Sequence, residues 1–214
     1  MKILELFAGT RSISNAFEKR GHETYSVEWN KEFDDITLYE DINNLTKESI
    51  IKLCGGIPDV IWASPDCTTY SIAGISHHRK KNINTGNLDP ISEYAMFCDK
   101  TNKHVINLIR ELKPKYYFIE NPRGALRKMD FMKELCRYTI SYCQYGDTRM
   151  KPTDIWTNHP NPQFKPMCKN GDSCHEKAPR GSRTGTQGLK GSIERSKIPE
   201  KLCNHIVDIC EVIH

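Results

Sequence analysis

The sequence predicts an α/β protein built on a doubly wound, mostly parallel sheet. Three observations carry that expectation. Apolar runs of strand length recur, and each ends in a polar or acidic break: ILELF before Ala8-Gly9, TYSV before Glu28, VIWA before Ser64-Pro65 and YYFI before Glu120. Helical stretches alternate with these runs as far as Gln144. A glycine turn follows the first run and opens a helix, which presents backbone N–H groups to a ligand at the sheet edge.

The elements follow in order. Lys2 to Phe7 forms the first strand, and Ala8-Gly9-Thr10-Arg11-Ser12 is the turn. Ile13, Ala16 and Phe17 share one helical face, and Gly21 stops that helix. The second strand, Thr24 to Val27, ends in Glu28, where an acidic residue commonly binds ribose hydroxyls. Asp41 follows a third short strand, as a ligand contact or as an Asx turn or helix cap. Asp59 to Gly74 opens as a buried strand, breaks at Ser64-Pro65 and offers Cys67 at its tip. Ser76 to Asp89 is a polar, basic stretch with His77, His78, Arg79, Lys80 and Lys81, expected as a surface loop. Ser92 caps a long helix to about Leu112, and Pro114 closes it. Tyr116 to Ile119 is the next strand and delivers Glu120-Asn121-Pro122. Further strands are expected at Thr139 to Gln144 and Ile155 to Thr157. After Asn158 the composition shifts toward Pro, Gly, Lys and Arg. Pro199 to Ile213 reads as a final helix, with Leu202, Ile206, Ile209, Cys210 and Ile213 on one side.

The chain has 214 residues, 37% hydrophobic and 27% charged, which suits one soluble medium domain. A net charge of +4 permits a nucleic-acid partner without requiring one. No run reaches membrane-span length and no apolar signal segment is expected, because MKILELFAG reads as strand and turn. A cytoplasmic chain follows, so the nine cysteines are core fillers, metal ligands or nucleophiles rather than disulfides. A monomer is favoured.

Together these motifs resemble the DNA cytosine-5 methyltransferases, in particular small phage and prophage members. LELFAGTRS is similar to the first motif, SPDCTTYSIAG to the catalytic loop, FIENPRG to the ENV motif, YGDTRMK to the arginine motif and IPEKLCNHIVDIC to the closing helix. The resemblance implies a class I S-adenosylmethionine-dependent methyltransferase fold, Rossmann-like, with S-adenosylmethionine as cofactor and DNA as partner. It implies Cys67 as nucleophile and Glu120 as the carboxyl that hydrogen-bonds the base. Arg149 would hold the base carbonyl or a nearby phosphate. Cofactor contacts are expected from Phe7, Ala8, Gly9, Thr10, Glu28, Trp29, Asp41, Ile42 and Pro65. The target base must leave the duplex to reach the thiol. The implied reaction is methylation of cytosine carbon 5 in DNA, with short or relaxed sequence specificity. A non-catalytic nucleic-acid-binding homologue and a cytosine N4 methyltransferase are the alternatives.

Two departures matter. Asp66 and Thr68 stand where the family usually has Pro and Gln, and a carboxylate beside the thiol should raise its pKa. The family's long target-recognition region is also missing. The expected organisation is a catalytic core over 1–158, a short basic Cys/His segment over 159–197 and a closing helix over 198–214. His159, Cys168, Cys174 and His175 are either a four-ligand zinc site that stiffens an apolar-poor segment or free thiols on a loop. Arg79, Lys80, Lys151, Arg180, Arg183 and Lys190 are the expected nucleic-acid contacts, with a merely solvated basic surface as the alternative.

Overall fold

The computed structural model describes residues 1–169, 171–177 and 191–212. Strands β1 (Lys2–Leu6), β2 (Glu23–Glu28), β3 (Leu38–Tyr39) and β4 (Val60–Ala63) come first, with helices α1 (Ser12–Glu18) and α2 (Lys47–Cys54) between them. A short helix α3 (Ile75–His78) and a hairpin, β5 (Arg79–Lys81) with β6 (Leu88–Pro90), lead into the long helix α4 (Glu93–Leu112). Strands β7 (Tyr116–Pro122), β8 (Arg137–Ser141) and β9 (Pro152–Thr157) and helices α5 (Ser192–Ser196) and α6 (Glu200–Glu211) complete the order. The main sheet runs β3-β2-β1-β4-β7-β9-β8, and only β9 is antiparallel to its neighbours. The mostly parallel, doubly wound, Rossmann-like sheet expected from the sequence is therefore present.

Both faces of the sheet are covered, which is why its strands read as near-continuous apolar runs. Leu4, Leu6, Ile61, Ala63 and Ile119 pack with residues of α2 and α4, including Ile50, Val105, Ile106 and Leu112. Their strand neighbours Ile3, Val60, Trp62 and Phe118 point the other way, onto Ile13 and Phe17 of α1 and Leu202 and Ile206 of α6. Ser92 caps α4 as expected, its hydroxyl accepting from the Ala95 N–H at 3.1 Å. Thr46 and Ser49 close a capping box on α2, a start signal worth about 1 kcal/mol. Among the described residues no helix is long and apolar enough to cross a membrane.

Two expectations need correction. The strand expected over Thr139 to Gln144 stops at Ser141, and Tyr142–Tyr145 turns as a 3-10 helix that ends at Gly146, φ 90°. The stretch from Ser76 to Asp89 holds α3 and the hairpin rather than an open loop, because Arg79 anchors it from inside.

Register places the chemistry. Leu6 pairs with Ala63, and Ala63 pairs with Ile119. The glycine turn and the Ser64–Cys67 loop therefore leave the sheet at one carboxyl edge, the usual ligand-binding edge of such a fold, where Glu120, still paired with Ile155 of β9, lies one residue past the β4 pairing.

Candidate active site

Cys67 sits on a turn fixed from several sides. Its carbonyl accepts from the Tyr70 N–H at 3.0 Å and the Ser71 N–H at 2.9 Å. Asp66 Oδ1 accepts from the Thr68 N–H at 2.5 Å, and Asn121 Nδ2 donates to the Pro65 carbonyl at 2.8 Å. The last bond ties the end of β4 to the end of β7. Gly124 presses on the same loop: a Cβ there would lie 2.4 Å from the Tyr70 carbonyl oxygen, which already accepts from the Ala125 N–H at 2.7 Å. A side chain at 124 would push the Cys67 loop away.

Glu120 is buried, and its Oε1 accepts from the Tyr142 hydroxyl at 2.9 Å. Burial raises its pKa against the lowering pull of Lys151, Tyr142 and Ser64. A raised pKa favours the protonated carboxyl, the form that can donate a hydrogen bond. The same surroundings act on the thiol. Burial first, then the charges of Asp66 and Glu120, push Cys67 up to about 11, with Lys151 opposing them. The Asp66 carboxylate next to the thiol thus does what its charge requires, although burial weighs more.

Arg149 is buried, and its Nε and Nη2 donate to Asp147 at 2.9 and 2.6 Å. Its Nη1 is buried without a hydrogen-bond partner among the described residues. A guanidinium held rigidly on one side with an N–H to spare suits an incoming acceptor oxygen. Lys151 lies over the Tyr142 ring at 4.4 Å and donates to the Arg195 carbonyl at 2.9 Å. Burial lowers its pKa, opposed by the charge of Glu120. The sequence pointed Lys151 at nucleic acid; the structure sets it among Cys67, Glu120 and Arg149.

A cleft of about 430 Å³ opens beside this cluster, lined by Phe7, Trp29, Asp41, Ile42, Pro65 and Asp66 from the strand ends and by residues of α4. Ala8, Gly9, Thr10 and Glu28 are not among its lining residues; Gly9 and Glu28 build its support. Glu28 Oε2 accepts from the Gly9 N–H at 3.1 Å, and Oε1 accepts from the N–H groups of Trp29 and Asn30, each at 3.0 Å. Asp41 caps a 3-10 turn through Oδ1, which takes both the Asn43 N–H and its side-chain amide at 2.8 and 3.0 Å. The other oxygen remains for a ligand N–H. Aromatic and apolar walls with two carboxylates, of which Asp66 is engaged on both oxygens and Asp41 keeps one oxygen to spare, suit an adenosyl group, so these residues fit S-adenosylmethionine. The wall contributed by α4, Tyr94, Phe97, Cys98, Thr101 and Asn102, was not among the cofactor contacts expected from the sequence.

The other expected contacts divide. Lys80 is exposed on the hairpin. Arg79 is not a surface contact: it is buried, donates to Asp99 at 2.7 Å and to the Thr69 carbonyl at 2.9 Å, and lies 4.2 Å over the Tyr70 ring. It braces the Cys67 loop from behind. Arg180, Arg183 and Lys190 lie outside the described residues. His159 does not join the other expected metal ligands: it is buried between strand and helix, with Nε2 3.0 Å from the Ile209 carbonyl and its ring 4.5 Å from that of Tyr116. Cys143 takes its place beside Cys168, Cys174 and His175.

A family model described as C-5 cytosine-specific DNA methylase matches residues 1–139. A Frog virus 3 protein named "Probable DNA (cytosine-5)-methyltransferase" is 27% identical over 230 residues, covering 98% of this chain and 100% of its own. Type II methyltransferase M.HindV of Haemophilus influenzae is 26% identical over 160 residues, 69% of this chain and 45% of that enzyme. Among solved structures, a protein described as a DNA modification methyltransferase from an E. coli prophage aligns with a TM-score of 0.53 at 16% identity, over 73% of this chain and 46% of that one. The S. pombe Dnmt2 methyltransferase gives 0.51 at 14% identity, over 73% and 50%. This chain thus spans about half the length of those solved relatives, while it matches the viral protein end to end. With a family model that matches residues 1–139, which include the Cys67 loop, the glycine turn and the buried Glu120, the chain belongs to the C-5 cytosine-specific DNA methylases, enzymes that transfer a methyl group from S-adenosylmethionine to cytosine carbon 5.

Proposed function

We propose that this chain methylates cytosine in DNA through a reversible covalent adduct on Cys67, with short or relaxed sequence specificity. The observation that carries the reading is the docking of the Cys67 loop onto the Glu120-Asn121 end of β7 through the Asn121–Pro65 hydrogen bond of 2.8 Å. Cytosine carbon 5 is a poor nucleophile. Bonding Cys67 Sγ to carbon 6, with loss of the thiol proton, makes carbon 5 enamine-like. Glu120 donates a hydrogen bond to ring nitrogen 3 and draws charge away from the site of addition. Arg149 Nη1 holds the base carbonyl or an adjacent phosphate. Bound S-adenosylmethionine supplies an electrophilic methyl group to carbon 5. Loss of the carbon 5 proton then breaks the Sγ–carbon 6 bond and frees the thiol.

Phe7, Trp29, Asp41, Ile42 and Pro65 hold the cofactor, and Glu28 keeps the edge in shape. DNA approaches from the carboxyl edge, with Lys80 as one phosphate contact. The segment 159–197 stands where a longer enzyme carries its target-recognition region, and so short a segment supports limited sequence reading. Cytoplasm of a bacterial or phage-infected cell is the expected setting. One observation favours the non-catalytic alternative: a thiol pushed up to about 11 is little ionised at neutral pH. Protein incubated with labelled S-adenosylmethionine and mixed-sequence DNA, then digested to nucleosides, should yield 5-methyldeoxycytidine. Label in N4-methyldeoxycytidine would overturn the covalent reading, and absence of label with both ligands bound would support the non-catalytic one.

A further inference from the structure

Cys143, Cys168, Cys174 and His175 bring four ligand atoms within 4.8 Å of one another, away from the reaction described above. Cys143 Sγ lies 3.0 Å from Cys168 Sγ and 3.6 Å from Cys174 Sγ. His175 Nδ1 lies 3.5 Å from Cys174 Sγ and 3.8 Å from Cys168 Sγ. A tetrahedral zinc with Zn–S near 2.3 Å and Zn–N near 2.0–2.1 Å separates its sulfurs by about 3.8 Å and sulfur from nitrogen by about 3.6 Å. Three of the four separations sit near those values, and the fourth needs to open by less than an ångström. A disulfide does not explain the group. A separation of 3.0 Å exceeds the S–S bond of about 2.05 Å, and one such bond would leave a thiol and an imidazole idle.

The surroundings fit a closed metal centre. Cys143 and Cys168 are buried, and Gln144 Nε2 donates to Cys174 Sγ at 3.6 Å. The residues from 161 to 177 that are described form no helix or strand and are poor in large apolar side chains. At the near end Pro162 and Phe164 meet His205 of α6; farther on, the segment is tied to the stretch that leads from β8 to Arg149. Lys165 N–H donates to the Tyr145 hydroxyl at 2.9 Å, Cys168 N–H to Ser141 Oγ at 3.2 Å and Glu176 N–H to the Thr148 carbonyl at 2.8 Å. Thr148 precedes Arg149. A chain that cannot bury enough apolar surface to order itself can be ordered by a metal instead.

We propose that Cys143, Cys168, Cys174 and His175 bind a structural zinc ion that fastens the 161–177 segment to the loop carrying Arg149. Binding takes the three sulfurs as thiolates and displaces their protons, with His175 ligating through Nδ1 and keeping its proton on Nε2. All four positions are filled by protein, so the ion has no open site for chemistry.

Full-length protein purified without added metal should carry about one zinc per chain by elemental analysis. Cys168→Ala, Cys174→Ala and His175→Ala should each cut zinc content at least about tenfold, while Cys136→Ala, at an exposed cysteine outside the cluster, leaves it unchanged. Because an alanine variant can fail to fold, two further readouts are decisive. His175→Cys should retain the metal as a four-thiolate site, and cobalt exchanged into the wild type should give a thiolate-to-metal charge-transfer band. Chelation should also speed hydrogen exchange at the Glu176 amide. Folded, reduced wild type that takes up no zinc when the ion is supplied, or a Cys143–Cys168 disulfide in the isolated protein, would overturn the metal site. Zinc bound with unchanged exchange at Glu176 would overturn the tether.

Discussion

The Tyr94 hydroxyl donates a 2.5 Å hydrogen bond to Asp66 Oδ2 and so links the residue before the nucleophile to the helix that walls the cofactor cleft. Asp66 is therefore engaged on both oxygens, with Thr68 on the other. Its charge still reaches the thiol. A negative neighbour disfavours thiolate, so removing it must lower the Cys67 pKa from about 11. Alkylation of Cys67, followed by peptide mass spectrometry across pH, should show its inflection move to lower pH in Asp66→Asn. Asp66→Pro should keep methylation or raise it. An unchanged inflection in Asp66→Asn would remove Asp66 from the control of the thiol.

Cofactor binding is the second prediction. Calorimetry should detect S-adenosylmethionine bound to the wild type. Asp41→Ala should weaken it about tenfold, the equivalent of about 1.5 kcal/mol for one hydrogen bond to a charged group. Glu28→Ala should also weaken binding, because three backbone N–H groups at the strand ends lose their acceptor. Binding unchanged in both variants would move the cofactor elsewhere.

Arg79 and Lys80 separate stability from binding, although they are adjacent. Arg79→Ala leaves Asp99 without its buried partner and should destabilise the protein by about 3–5 kcal/mol in denaturant titrations. Lys80→Ala should leave stability unchanged and reduce the salt dependence of DNA binding by roughly one phosphate contact. The reverse outcome would restore Arg79 as a surface contact.

These contrasts show what the sequence carries and what it hides. A strand buried on both faces announces itself as an apolar run, and its end as a polar break, so the placement of Cys67, Glu120 and Glu28 at strand ends was legible. A charge run does not say which of its members turns inward: Arg79 was read with Lys80, and only Tyr70 and Asp99 reveal its place. Cys143 was hidden in a stretch read as strand, because a 3-10 turn has no long periodicity to expose. His159 shares its residue type with the metal ligands but pairs with the Ile209 carbonyl of α6. Helix α2 was overlooked even though Thr46 and Ser49, three residues apart, supplied a start signal.

Gly124 gives a structural test of the nucleophile loop. A methyl group at 124 collides with the Tyr70 carbonyl, so Gly124→Ala should displace the loop while sparing the cofactor cleft. Methylation should fall at least about tenfold, as small misplacements of reacting groups do, with S-adenosylmethionine binding retained. Full activity in that variant would show that the close approach has no catalytic weight.

The most direct measurement is covalent trapping on DNA that carries 5-fluorodeoxycytidine. Fluorine at carbon 5 blocks the final proton loss, so once methyl transfer has occurred the Sγ–carbon 6 bond cannot break. Wild type with S-adenosylmethionine should form a denaturation-resistant complex whose cross-linked peptide contains Cys67, and Cys67→Ser should form none while still binding the cofactor. If Cys67→Ser methylates ordinary DNA as fast as wild type, and wild type leaves fluorinated DNA uncrosslinked, Cys67 is not the nucleophile.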